Sequence, residues 1–172
     1  MLILLDASAL INQPAFTFEE SERYACTYEV LEEFRSMETR ALVENALKRK
    51  LLRVYRPKHK YLNRAKKLVR SKGFTKMSKA DISTLALAMQ FKEQNKEFLV
   101  ITDDYSIQNF LAMLAIPFAS VMQGKIKNII SFVRFCPVCK KEYAAGSSVK
   151  ECPDCGVELR TKRIIEKSTK NL

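Results

Sequence analysis

Eight side chains in this sequence have the types and spacings for metal chemistry, four thiols and four carboxylates. Cys136 and Cys139 form the knuckle Cys-Pro-Val-Cys, and after twelve intervening residues Cys152 and Cys155 form Cys-Pro-Asp-Cys-Gly. Two such knuckles carry four thiolates to the corners of a tetrahedron, which suits Zn2+. With every coordination position filled by sulfur, that ion is structural and has no open site for catalysis. A piece of about 30 residues buries too little apolar surface to fold alone, so metal binding supplies its folding free energy. Two disulfides are the alternative, disfavoured by the cytosolic character argued below. Cys26 stands apart and reads as a small buried apolar residue.

The carboxylates are scattered along the chain. Asp6 directly follows the apolar run 2–5, and Asp104 comes two residues after "FLVIT". Short apolar runs of this kind read as strands buried on both faces of a parallel sheet. Ligands of open parallel sheets gather beyond the carboxyl ends of the strands, so both acids fall at the productive edge. Both also precede helices, where an aspartate N-cap is common. In "VLEEFRSM" a helical wheel starting at Val30 puts Phe34 at about 40° and Met37 at about 340°. Glu33 then falls at about 300°, on the margin of the buried stripe, while Glu32 at about 200° faces water. Asp81 opens a strongly apolar helix, and Ser78 with Asp81 resembles a capping box. Four carboxylates brought together without cations repel, so either they stay apart or they hold metal. Mg2+ and Mn2+ prefer such hard oxygen ligands, and an ion-filled hollow attracts phosphate.

The elements that position these groups alternate. Strands are expected at 2–6, in "LLRVYRP", in "EFLVIT" and in "IPFASVM"; "QPAFTFEESERYAC" reads as an irregular connection. Helices are expected in "ASALIN", "TYEVLEEFRSM", "ETRALVENALKRK", "HKYLNRAKKLVRSKG" (ended by Gly73), "SKADISTLALAMQFKEQN" and "DYSIQNFLAMLA". Strands separated by helices imply right-handed crossovers, hence an α/β fold with a parallel sheet flanked by helices. The segment 123–135 mixes Lys with apolar residues, has no acid, and reads as a connector with room for a strand of its own.

Composition narrows the partners. The 172 residues are 47% hydrophobic with 4 Gly and 5 Pro, enough for one ordinary domain and a small appendage. No apolar run reaches the roughly 20 residues of a membrane span, and the N-terminus lacks a basic leader, so a soluble cytoplasmic protein is expected. Thirty Lys and Arg against 19 Asp and Glu leave a net charge of +11, which favours a polyanion, nucleic acid first. Residues 53–72 hold nine Lys and Arg and no acid, and within them Arg56, Lys58, Lys60, Arg64 and Lys67 are candidate RNA contacts. Tyr55 and Tyr61 could stack on bases. A second patch comprises Lys125, Lys127, Arg134, Lys140 and Lys141, and the two patches are expected to grip RNA on either side of the acidic site. A solvated helix face is the alternative for the first. The single histidine, His59, leaves no imidazole pair for metal-free RNA cleavage, so a nuclease here would use metal ions.

The order Asp6, Val30-x-x-Glu33, Ser78-x-x-Asp81, Thr102-x-Asp104 resembles the PIN-domain nucleases, and the added four-cysteine ribbon resembles more narrowly the Nob family. The resemblance implies a PIN-like domain at 1–122, a linker at 123–134, a zinc ribbon at 135–165 and a flexible tail at 166–172. It implies that Asp6, Glu33, Asp81 and Asp104 bind catalytic Mn2+ or Mg2+. It further implies an endoribonuclease that matures the 3′ end of small-subunit rRNA within a pre-ribosomal particle, among its assembly proteins. Water activated by the ion would attack phosphorus in line and leave a 3′-hydroxyl and a 5′-phosphate. Ser8 and Thr102, beside the acids, could orient the water or a carboxylate, or serve only as caps. The alternatives are a toxin-type PIN ribonuclease cutting tRNA or mRNA, and a non-catalytic RNA-binding adaptor.

Overall fold

Leu4 and Leu5 have no exposed surface because their strand is central in its sheet and helices cover both faces. The computed structural model describes residues 1–12, 16–121, 126 and 128–167. Its elements run β1 (Leu2–Leu5), α1 (Ala7–Ile11), β2 (Arg23–Thr27), α2 (Tyr28–Leu31), α3 (Met37–Lys48), β3 (Leu52–Tyr55), α4 (His59–Ser71) and α5 (Lys79–Glu93). They continue with β4 (Phe98–Ile101), α6 (Tyr105–Met113), β5 (Phe118–Ala119), β6 (Asn128–Phe135), β7 (Glu142–Ala144) and β8 (Arg160–Lys167). The first five strands form one parallel sheet in the order β3-β2-β1-β4-β5. Successive residues of β1 face opposite sides, so Leu4 joins a core with α4, α5 and α6 while Ile3 and Leu5 join one with α1, α2 and α3.

The strand order reverses between β1 and β4. Chain leaving β1 turns to one side of the sheet, chain leaving β4 to the other, and a crevice opens at their carboxyl ends. Asp6 and Asp104 stand at those two ends, and the Asp6 amide donates to the Ile101 carbonyl at 3.1 Å.

Three elements differ from expectation. Arg23–Thr27 is a strand paired with β1 and β3, not part of an irregular connection. The apolar run in its Arg-Tyr-Ala-Cys-Thr sequence is only Tyr24-Ala25-Cys26, too short to read as a strand by itself. The helix expected through "TYEVLEEFRSM" stops at Leu31, so Glu33 sits in a turn and the wheel argument does not apply to it. The last strand of the sheet is only Phe118–Ala119.

The second sheet is antiparallel, in the order β7-β6-β8. It takes in residues read from sequence as linker (128–134) and as tail (Glu166 and Lys167). The ribbon docks on the larger unit through β6. The Phe132 amide donates to the Lys72 carbonyl at 3.0 Å, and the Asn109 side chain exchanges two hydrogen bonds with the Ile130 backbone. Gly73, at φ +79°, makes this approach possible, because a Cβ there would lie 2.7 Å from that of Phe132.

Candidate active site

Asp6 caps α1 and is 2% exposed. Its Oδ2 accepts from Ser8 Oγ at 2.7 Å, Ser8 N at 3.3 Å and Thr102 Oγ1 at 3.0 Å, while the buried Oδ1 receives no hydrogen bond among the described residues. Burial pushes the carboxyl up to about 6; the Ser8 and Thr102 donors oppose that rise, and the Asp81 charge adds to it. Ser8 and Thr102 thus act on the carboxylate itself, one from each side of the crevice.

Asp81 and Asp104 follow the same rule. Ser78 and Asp81 form a full capping box on α5, with Asp81 Oδ2 accepting from Ser78 N at 2.7 Å. Asp104 caps α6 through Oδ1, which accepts from Ser106 N at 2.6 Å. Each aspartate therefore commits one oxygen to a helix cap and leaves the other without a donor among the described residues. Capping and metal binding, rival readings at the sequence level, are compatible oxygen by oxygen. Burial, then the nearby charges of Asp104 and Glu33, push the Asp81 carboxyl upward, so the four acids share one electrostatic neighbourhood around Asp81. Glu33 is half-buried and accepts no hydrogen bond among the described residues. An orphaned buried oxygen and mutually unfavourable anions are what a hard divalent cation would relieve, and the donor set fits one.

Asp103 has a different task. Its Oδ1 accepts from Ser120 Oγ and, at 2.9 Å, from Val121 N, and its own amide donates to Ser8 Oγ at 2.9 Å. It ties the end of β5 to the floor of the site, a role with no signature in the sequence beyond its place beside Asp104.

The four cysteine sulfurs lie within 4.8 Å of one another, with Cys139 and Cys152 at 3.6 Å, near the roughly 3.8 Å tetrahedral edge implied by a 2.3 Å Zn–S bond. The knuckles end alike, in left-handed residues Lys140 (φ 62°) and Gly156 (φ 66°). The Tyr143 hydroxyl, 3.3 Å from Cys152 Sγ, draws that thiol down to about 6, toward the thiolate that binds metal. This set can hold a metal ion.

The basic residues divide. Lys60 and Arg64 pair with Glu93 at 2.7 and 2.6 Å, so an acid of α5 balances the outer side of α4. Tyr61 is buried and donates to Glu93, and Tyr55 packs edge-on to Phe91, so the stacking expected of them is not available in this arrangement. Arg56 lies over the Tyr28 ring at 4.7 Å, and the Lys58 backbone amide donates to Gln90. Lys67 is exposed and makes no ion pair among the described residues. In the second patch, Arg134 donates to the Val149 carbonyl at 2.6 Å, Lys140 to that of Pro137 at 2.6 Å, and Lys141 pairs with Asp154 at 2.9 Å. Lys125 and Lys127 lie outside the described residues. Among the described residues no helix is long and apolar enough to cross a membrane.

Residues 3–91 match the family described as PIN domain of ribonuclease. A protein named Endoribonuclease Nob1 from Methanothermobacter thermautotrophicus is 32% identical over 161 residues, spanning 93% of this chain and 92% of that one. Another of that name, from Methanocaldococcus jannaschii, is 33% identical over 161 residues, 94% of this chain and 77% of its own. A protein named Ribonuclease VapC1 from Thermoplasma acidophilum is 29% identical over 161 residues, 93% of this chain and 77% of its own.

Proposed function

The chain belongs to the PIN-domain ribonucleases and, within them, to the Nob family, and from that premise we propose that it is a cytoplasmic, divalent-metal-dependent endoribonuclease that matures the 3′ end of small-subunit rRNA in a pre-ribosomal particle. The observation that carries the reading is the pattern at Asp6, Asp81 and Asp104: one oxygen held by a cap, the other without a donor among the described residues. Asp6, Glu33, Asp81 and Asp104 would hold Mn2+ or Mg2+, which would supply activation of water and neutralisation of charge at the scissile phosphate. Ser8 and Thr102 hold Asp6 in place, and Thr102 also accepts from the Asp104 amide at 3.1 Å, which couples the two acids through one hydroxyl. Cys136, Cys139, Cys152 and Cys155 would hold one structural Zn2+.

A toxin-type activity on tRNA or mRNA is the second reading, favoured by the likeness to the protein named Ribonuclease VapC1. One experiment separates them. The wild type, Asp6→Asn and Asp104→Asn are incubated in Mn2+ with a small-subunit rRNA 3′ fragment, with tRNA and with an unrelated mRNA. Cleavage of the rRNA fragment at one position, lost in both variants, is the expected result. Preferential cutting of tRNA or mRNA would move the assignment to the toxin class, and wild-type inactivity on all three would overturn both.

A further inference from the structure

A cleft of about 840 Å³ opens between α4, the start of α5 and the docked ribbon. Its size is that of a small-ligand pocket, large enough for a nucleotide or two and far too small for a duplex. Four cations line it, Lys66, Arg70, Lys79 and Arg134, against one acid, Glu29. Arg134 is engaged with the Val149 carbonyl, but Lys66, Arg70 and Lys79 are exposed and make no ion pair or side-chain hydrogen bond among the described residues. Leu62, Lys66, Val69 and Arg70 recur at helical spacing, so one stripe of α4 faces the cleft, with Gly73 just past its end. The cations that Glu93 neutralises, Lys60 and Arg64, are not on that stripe. Of the cations of α4 that make no ion pair among the described residues, Lys66 and Arg70 line the cleft and Lys67 does not.

The remaining wall is apolar and partly aromatic, with Phe74 and Phe132 of the ribbon strand β6 packed edge-to-face, ring centroids 5.5 Å apart. Ser78, which lines the cleft, donates its amide to Asp81 Oδ2 at 2.7 Å, so the cleft adjoins the acidic site. Cations for phosphates beside rings for a base are the features by which proteins hold single-stranded RNA.

We propose that this cleft seats an unpaired RNA nucleotide next to the cleavage site, its base against Phe74 and Phe132 and its phosphates on Lys66, Arg70 and Lys79. The inference rests on the ribonuclease reading and deepens it. The ribbon becomes one wall of the substrate site, and an unpaired nucleotide becomes a condition of productive binding.

The test is binding without cleavage, on the full zinc-loaded chain with no Mn2+ or Mg2+ added. A fluorescein-labelled single-stranded hexauridylate is titrated by anisotropy between 50 and 300 mM KCl, values set as ordinary assay conditions of roughly physiological ionic strength. Lys66→Gln/Arg70→Gln should weaken binding about tenfold and lower the salt slope by about 1.4, the value for two phosphates of a single strand. Lys60→Gln/Arg64→Gln, the same charge change on the other side of the helix, should alter affinity less than about twofold. In an oligomer carrying 2-aminopurine at one position at a time, fluorescence should be quenched on binding at one position, and Phe132→Leu should relieve that quenching. Equal losses in the two double variants, no loss in either, or equal competition by a duplex of the same length would each overturn the proposal. Cleft-dependent binding by a protein that cuts no RNA would instead leave the cleft standing and remove the ribonuclease reading.

Discussion

Asp6→Asn separates a metal ligand from a helix cap through stability as well as activity. The buried carboxyl titrates at about 6 rather than the usual 3.8, so near pH 7.5 its ionised form destabilises the metal-free fold by about 3 kcal/mol. The sign is that of a raised acid: its contribution favours the fold at low pH and is lost as pH rises through about 6. An amide in its place keeps an oxygen for Ser8 and Thr102 and removes the charge. It also puts an N–H at the orphaned Oδ1 position, costing about 1–2 kcal/mol if unpaired. Metal-free Asp6→Asn should therefore be more stable than wild type at pH 7.5 by about 1–2 kcal/mol, roughly 2–8 °C in Tm for a chain of this size. At pH 4.5, with Asp6 protonated in the fold, the advantage should disappear. Mn2+ at about a hundred times its Kd should add about 2.7 kcal/mol to wild type alone and reverse the order. Thermal scans at both pH values, with and without Mn2+ and without chelators that would strip zinc, make the measurement. A variant less stable than wild type at pH 7.5, or stabilised by Mn2+ to the same extent, would show that Asp6 is only a cap.

Thr102→Val removes both the donor to Asp6 and the acceptor for the Asp104 amide, so Mn2+ affinity by calorimetry should fall and the acidic limb of the activity profile should move to higher pH. Gly73→Ala forces a side chain into a left-handed position 2.7 Å from Phe132 Cβ, and should cost about 1–3 kcal/mol, with faster proteolysis between the two units. Cys152→Ser should lower the zinc content measured by atomic absorption and abolish hydrogen-exchange protection in β6 and β8, while protection in β1 and β4 persists.

What the sequence made legible depended on whether a signal was local. Leu2–Leu5 and Phe98–Ile101 are continuous apolar runs, bounded and short as strands covered on both faces of a sheet are. The two Cys-Pro-x-Cys knuckles specify their own geometry over a few residues. Arg23–Thr27 carried no such mark, because its strand character comes from hydrogen bonds to β1 and β3, elements remote in sequence. Glu33 was singled out by a wheel that the structure stops at Leu31, so its half-buried position near Asp81 has another origin, the turn after α2. The basic run 53–72 looked unbalanced only because Glu93, its counter-charge, lies one helix further along.

That balance bears on how a chain of net charge +11 can present an acidic hollow to RNA. Long-range attraction depends on total charge and brings a polyanion to the surface regardless of where each lysine sits. Alignment at the site depends on which cations stay unpaired once the chain is folded. Glu93 silences the outer side of α4, Asp154 engages Lys141, and backbone carbonyls engage Arg134 and Lys140. Lys66, Arg70 and Lys79 make no ion pair among the described residues and line the cleft together with Ser78, whose amide donates to Asp81. Local pairing therefore leaves part of the charge of α4 directed at the cleft, and it is the docking of the ribbon, through Gly73 and Phe132, that gives this direction a wall.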